Sequence, residues 1–122
     1  MNVLKKSTGL TGLAVSADPK YALTVLYNKI LRVLVKMPED ASYKKYTKDI
    51  VDNRLKIVQE AKSIDEMETK INNGQIEEVI VQAENELLLA RKMLIWKPWE
   101  PLLKKSPPQQ WTWPPAKFTP QN

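Results

Sequence analysis

Along residues 18–96, apolar side chains recur at helical spacing, and most runs are bounded by a start or stop signal. Asp18-Pro19 predicts a helix start. The Asp side chain can accept from free backbone N–H groups, and Pro at the first helical position gives up only an N–H that has no partner there. Leu23, Leu26, Ile30, Val33 and Met37 then repeat at spacings of three and four, with Tyr27, Leu31 and Leu34 widening the face. Pro38 disfavours helix at the residue before it and ends the run. A second helix is expected from Asp40 or Ala41 to Ala61. Its inward residues would be Tyr43, Tyr46, Ile50, Ile57 and Val58, broadened by Val51 and Leu55, with Lys44, Lys45, Lys48 and Lys56 turned to water.

Ser63-Ile64-Asp65-Glu66 has the form of a capping box and opens a short third helix through Met67 and Ile71, with Gly74 placed to close it in a left-handed turn. The last helix carries the clearest pattern. Ile76, Ile80, Ala83, Leu87, Ala90 and Leu94 alternate by four and three, a heptad seam whose alanines let a neighbour approach closely. Leu88 and Leu89 fall off that seam, so they either bury against a second neighbour or form an apolar patch that needs a partner. Glu77, Glu78, Glu84 and Glu86 read as the solvated side of this helix, the first two also favouring its dipole. The predicted fold is therefore all-α, a small antiparallel bundle of three main helices plus a short one.

Two segments flank the bundle. Residues 1–17 hold Lys5 and Lys6, four hydroxyl side chains, Gly9, Gly12 and no acid. They lack both the Arg of a typical mitochondrial presequence and an unbroken secretory apolar run, so they read as a flexible arm. Residues 97–122 hold seven of the nine Pro and three of the four Trp. At that density of Pro neither helix nor sheet continues, and 26 residues at ~3.1 Å each would reach roughly 80 Å. The layout is arm (1–17), bundle (18–96) and extended Trp/Pro tail (97–122).

The 122 residues include no His and no Cys. That excludes imidazole and thiol catalysis, thiolate or imidazole metal sites and disulfides. The carboxylates lie in no evident cleft, and Gly9-Leu10-Thr11-Gly12 lacks the glycines, the preceding strand and the Lys-Thr pair of a phosphate loop. No catalytic, cofactor-binding or metal-binding residue is therefore assigned. The longest apolar run, Leu87 to Ala90, is far short of the ~20 residues that span a bilayer.

The net charge of +5 is unevenly spread: residues 18–62 carry ten bases against six acids, and residues 63–96 carry three against seven. Such a division suits helices that attract one another better than a continuous phosphate-binding stripe. Tail Trp beside Lys allows a second reading, a small basic protein that stacks single-stranded nucleic acid on its tail. However, those Trp stand between prolines and not in a basic run, and Trp is a favoured anchor at protein interfaces. The candidate partner-binding residues are Trp96, Trp99, Trp111, Trp113, Leu88 and Leu89.

The run from Leu4 through Lys5-Lys6-Ser7-Thr8-Gly9-Leu10-Thr11-Gly12-Leu13 is distinctive. So are Leu26-Tyr27-Asn28-Lys29-Ile30-Leu31, Tyr43-Lys44-Lys45-Tyr46-Thr47 and Gly74-Gln75-Ile76-Glu77-Glu78-Val79-Ile80. With Trp96-Lys97-Pro98-Trp99-Glu100-Pro101 and Gln110-Trp111-Thr112-Trp113-Pro114, they resemble the NADH dehydrogenase (ubiquinone) 1 alpha subcomplex subunit 5 family. Ser16 and Lys20 stand where members carry Cys and His, and residues 115–122 extend past the usual end. The resemblance implies a helical bundle on the matrix side of mitochondrial respiratory complex I, peripheral to the inner membrane and near the quinone-reducing module. It implies no bound flavin, iron–sulfur cluster or quinone. It also implies an obligate hetero-oligomer with core and accessory subunits, a nucleoside-kinase-like subunit among them, and no nucleic-acid partner.

Overall fold

Four helices carry most of residues 5–114, the part of the chain that the computed structural model describes. They are α1 (Pro19–Val35), α2 (Ser42–Glu60), α3 (Ile64–Ile71) and α4 (Ile76–Trp96), and no strand occurs among the described residues. The fold is the expected all-helical one. Residues 1–4 of the arm and 115–122 of the tail lie outside the described residues.

Asp18 caps α1, its side chain accepting from the backbone N–H of Tyr21 at 3.2 Å. The link at 36–41 turns the chain back. Lys20, at the start of α1, donates to the carbonyls of Gln59 and Ala61 at the end of α2, so these helices run in opposite directions. At the other end Met93 of α4 shares a recess with Ala41 and Tyr43, so α4 opposes α2 and runs alongside α1. Helix α1 packs on both α2 and α4, and α3 spans the end where α2 stops and α4 begins.

The buried seam of α1 is Leu23, Tyr27, Ile30 and Leu34, continued past the helix end by Met37; Leu26 and Val33 are half-buried at its edge. Across from it α4 buries Ile76, Val79, Ala83, Leu87 and Ala90, with Ile80 and Leu94 half-buried. Removing a Leu or Ile such as Leu23 or Ile30 from water contributes about 1.5–3 kcal/mol. The heptad reading of α4 thus describes its packing, with Val79 taking the deeper place beside Ile80.

Helix α2 differs from expectation. Tyr46 and Ile50 are exposed, and the inward positions are Lys44, Thr47, Val51 and Val58. Lys44 buries its aliphatic stem while its ammonium donates to Met37 O at 3.1 Å and to Glu39 Oε1 at 2.6 Å. That hydrogen bond holds the Glu39 carboxyl below its ordinary pKa. The side-chain spacing from 44 to 58 fixes the inner face, and two apolar side chains between its rows are left in water.

At α3, Ser63 Oγ accepts from Glu66 N at 3.2 Å, but the return bond from Glu66 goes one residue ahead, to Lys62 N at 3.0 Å. Asn72 closes this helix in the left-handed conformation (φ 57°), its N–H donating to Glu68 O at 2.9 Å. Gly74, expected there, serves the start of α4 instead. At φ 86° it leaves room for the Glu78 carboxylate, which accepts from Gln75 N at 2.8 Å and would collide with any Cβ on residue 74.

Candidate interaction surface

Residues 5–17 return to the bundle. Gly9 and Gly12 take left-handed turns, and Thr8 ties the loop by donating to Leu13 O at 2.6 Å and accepting from Leu10 N at 3.2 Å. The Thr8 carbonyl accepts from Gln75 Nε2 at 2.7 Å, while Lys5 Nζ donates to Gln75 Oε1 at 2.5 Å. Lys5 Nζ also lies 2.7 Å from Glu77 Oε2. Glu77 Oε1 accepts from Ser16 N at 3.3 Å.

Glu77 is therefore not on the solvated side of α4: its side chain is 4% exposed. Burial pushes its carboxyl up. The bonds from Lys5, from its own backbone N–H and from Ser16 N outweigh that and hold it below the ordinary carboxylate value. A carboxylate so placed keeps its charge only beside a cation, which the arm supplies. Within the segment 1–17 expected as a flexible arm, residues 5–17 meet the bundle through this clasp. No spacing rule could have paired residues so distant in the sequence.

The predicted partner-binding residues divide into three groups. Leu88, Leu89 and Trp96 share the outer side of α4, all exposed, Leu88 at 58%. Trp99 turns inward. Lys97 leaves the helix in the left-handed conformation (φ 55°), and Trp99 then packs against the edge of the core, where with Ala41, Ser42, Tyr43, Met93 and Pro98 it lines a recess of about 170 Å³. Trp111 and Trp113 stand in water at 86% and 85% exposure, on a tail held by isolated turn bonds such as Gln110 N to Pro107 O at 3.3 Å. The sequence reading did not single out Val81 and Ile95 on α4, or foresee that Tyr46 and Ile50 on α2 would be exposed.

A cleft of about 240 Å³ opens between α2 and α4 over Tyr27, lined also by Thr47, Arg54, Gln82 and Glu86. Tyr43 donates to Glu86 and joins the two helices. Burial, then the hydrogen bond and charge of Glu86, push the Tyr43 hydroxyl far above its ordinary pKa. The buried Tyr27 hydroxyl is also raised, by desolvation, against the opposing pull of Arg54. Neither phenol is positioned to exchange a proton at neutral pH. No group of three or more acidic side chains fit to hold a metal occurs among the described residues, and no described helix is long and apolar enough to cross a membrane.

Fold and surface together define a small helical module with large side chains turned outward. The family model described as "ETC complex I subunit conserved region" matches residues 12–78. The NADH dehydrogenase [ubiquinone] 1 alpha subcomplex subunit 5 of Bos taurus is 53% identical over 112 residues, covering 92% of this chain and 97% of that protein. The probable counterpart in Caenorhabditis elegans is 52% identical over 110 residues, 90% of this chain and 73% of that one. A more distant relative in Arabidopsis thaliana, whose name adds "mitochondrial", is 35% identical over 79% of this chain and 57% of its own length. The chain belongs to the NADH dehydrogenase [ubiquinone] 1 alpha subcomplex subunit 5 family.

Proposed function

We propose that this chain is a non-catalytic accessory subunit of mitochondrial NADH:ubiquinone oxidoreductase, complex I. The observation that carries this reading is the 53% identity to the bovine subunit over 97% of that protein's length. The chain would sit at the inner membrane on its matrix side, on the arm that carries electrons from NADH to ubiquinone, beside the quinone-reducing module. Its work there is to assemble and stabilise that arm through contacts with core and accessory subunits. Electron transfer falls to other subunits, since a chain without His or Cys offers no thiolate or imidazole to ligate iron. Outward-facing Leu88, Leu89, Trp96, Trp111 and Trp113 support a role in contact, being large apolar groups that gain from being covered.

The test is a native gel of mitochondria in which a tagged copy replaces the resident one. The chain is expected to migrate with NADH dehydrogenase activity, and its depletion is expected to lower the amount of assembled enzyme. A chain found wholly as free monomer would overturn the reading.

A further inference from the structure

Helix α4 carries apolar side chains on two separate faces. At about 100° per residue, Val81, Leu88 and Ile95 fall in one narrow stripe, roughly a third of a turn from the Ile76–Ala83–Leu87–Ala90 seam that faces α1, and Leu89 and Trp96 lie roughly a quarter turn further round. All five are exposed. Asn85 and Lys92 occupy the alternate positions, so 81, 85, 88, 92 and 95 repeat at four and three, a second heptad seam along the same helix. A polar residue within such a seam fixes register at some cost in stability. Charge divides along the seam: Glu84 flanks it toward its start, while toward its end Arg91 flanks it and Lys92 stands within it. None of the three joins an ion pair among the described residues.

We propose that this outer seam of α4 seats an amphipathic helix of another protein chain, with acidic side chains opposite Arg91 and Lys92 and a basic one opposite Glu84. The inference rests on the accessory-subunit reading and names the chemistry of the partner at this face. A second copy of this chain, laid antiparallel about Leu88, would bring Lys92 against Glu84, but area speaks against it. The stripe offers roughly a few hundred Å², the size of the largest patch on an ordinary monomer, whereas a stable partner covers about 800 Å² per side. The stripe runs at Trp96 into the exposed tail, and a larger partner that meets both the helix and Trp111 and Trp113 reaches the needed area. Apolar anchors at i, i+7 and i+14 suit a helix laid along α4.

The test places a photo-reactive benzoyl-phenylalanine at position 88 in the chain carried by assembled complex I, with digestion and mass spectrometry of the cross-link. The expected product joins position 88 to a peptide of a different chain with apolar residues at heptad spacing and Asp or Glu beside them. A cross-link to a second copy of this chain, to a peptide without that pattern, or to nothing overturns the proposal. In parallel, Leu88→Asp with Ile95→Asp is expected to lower the incorporated fraction at least tenfold and Arg91→Glu with Lys92→Glu several-fold, while Tyr21→Asp on α1 leaves it unchanged. Circular dichroism of the purified variants must show unaltered helix and thermal midpoint, since all these side chains are exposed. If the variants incorporate as the natural chain does, the docking face is wrong and the subunit reading stands. If the natural chain itself fails to enter the complex, both fall.

Discussion

The two ends of the chain lie outside the bundle by composition, yet they behave in opposite ways. The N-terminal arm is small and polar, and its one well-placed cation finds a buried carboxylate: Lys5 meets Glu77, and Thr8 meets Gln75. The C-terminal tail carries large apolar groups and sends only its first Trp home, Trp99, while Trp111 and Trp113 remain in water. A segment is held by its own domain when its polar groups match vacancies there, as Lys5 matches Glu77. It is left for another protein when its chief asset is apolar area that the domain has no groove to receive. The arm completes the bundle, and the tail extends it.

Removing the tail gives the largest separation between the two. A chain ending at Glu100 is expected to keep its thermal midpoint within about 2 °C, because the described residues lost, 101–114, are all exposed. In mitochondria the same chain is expected to be at least tenfold depleted from complex I on a native gel. Normal incorporation of the shortened chain would break the comparison, since the exposed Trp would then have no task.

Within the tail the contrast sharpens to single residues. Trp99→Ala opens the recess against Met93 and Tyr43, and for a half-buried Trp the expected cost is about 1–2 kcal/mol, read as a lower denaturant midpoint. Trp111→Ala is expected to stay within about 0.5 kcal/mol of the natural chain in isolation, yet to weaken its retention in the complex. Equal losses for both in the isolated protein would mean that the outer tail packs on its own bundle after all.

Much of this was legible beforehand where one local rule sufficed. Asp18-Pro19 marked the start of α1, and the four-three alternation from Ile76 to Leu94 marked the buried side of α4. Errors arose where two local cues competed. On α2, hydrophobicity favoured Tyr46 and Ile50, but the register that buries Val51 and Val58 also brings in Lys44 and Thr47 and turns those two outward. Near Gly74, two residues could take the left-handed turn, and Asn72 took it because Gly74 was needed to clear the Glu78 carboxylate. The exposed side chains proposed for partner contact on α4 and the tail were nameable because bulk off the buried seam is visible in a sequence. The clasp was not, because a Lys and a Glu look solvated until folding brings them together.

On the arm, Glu77→Gln removes the charge that Lys5 answers. The expected cost is about 1–2 kcal/mol of local docking energy, below that of a fully buried pair because the Lys5 side chain is 35% exposed. It should appear as faster amide exchange from Gly9 to Ser16 with α1 and α4 unchanged.

The smallest effect is the one pH exerts on the same clasp in the natural chain. The Glu77 carboxyl is held below its ordinary value of 4.5, so the folded arm favours the ionised form. A depressed carboxyl gives stability that is fully present above its unfolded pKa and is lost as the pH falls through the folded one. Arm docking should therefore be constant from pH 7 to about 5 and weaken only below about 4.5, with no counterpart in Glu77→Gln. The amide of Ser16, which donates to Glu77 at 3.3 Å, is the reporter: its chemical shift should move in that acid range in the natural chain and not in the variant. A transition already complete between pH 7 and 5 would assign the clasp to some other group. The fluorescence of Trp111 and Trp113, which stand exposed and outside the clasp, should show no such step, and the two ends would then be separable by acid alone.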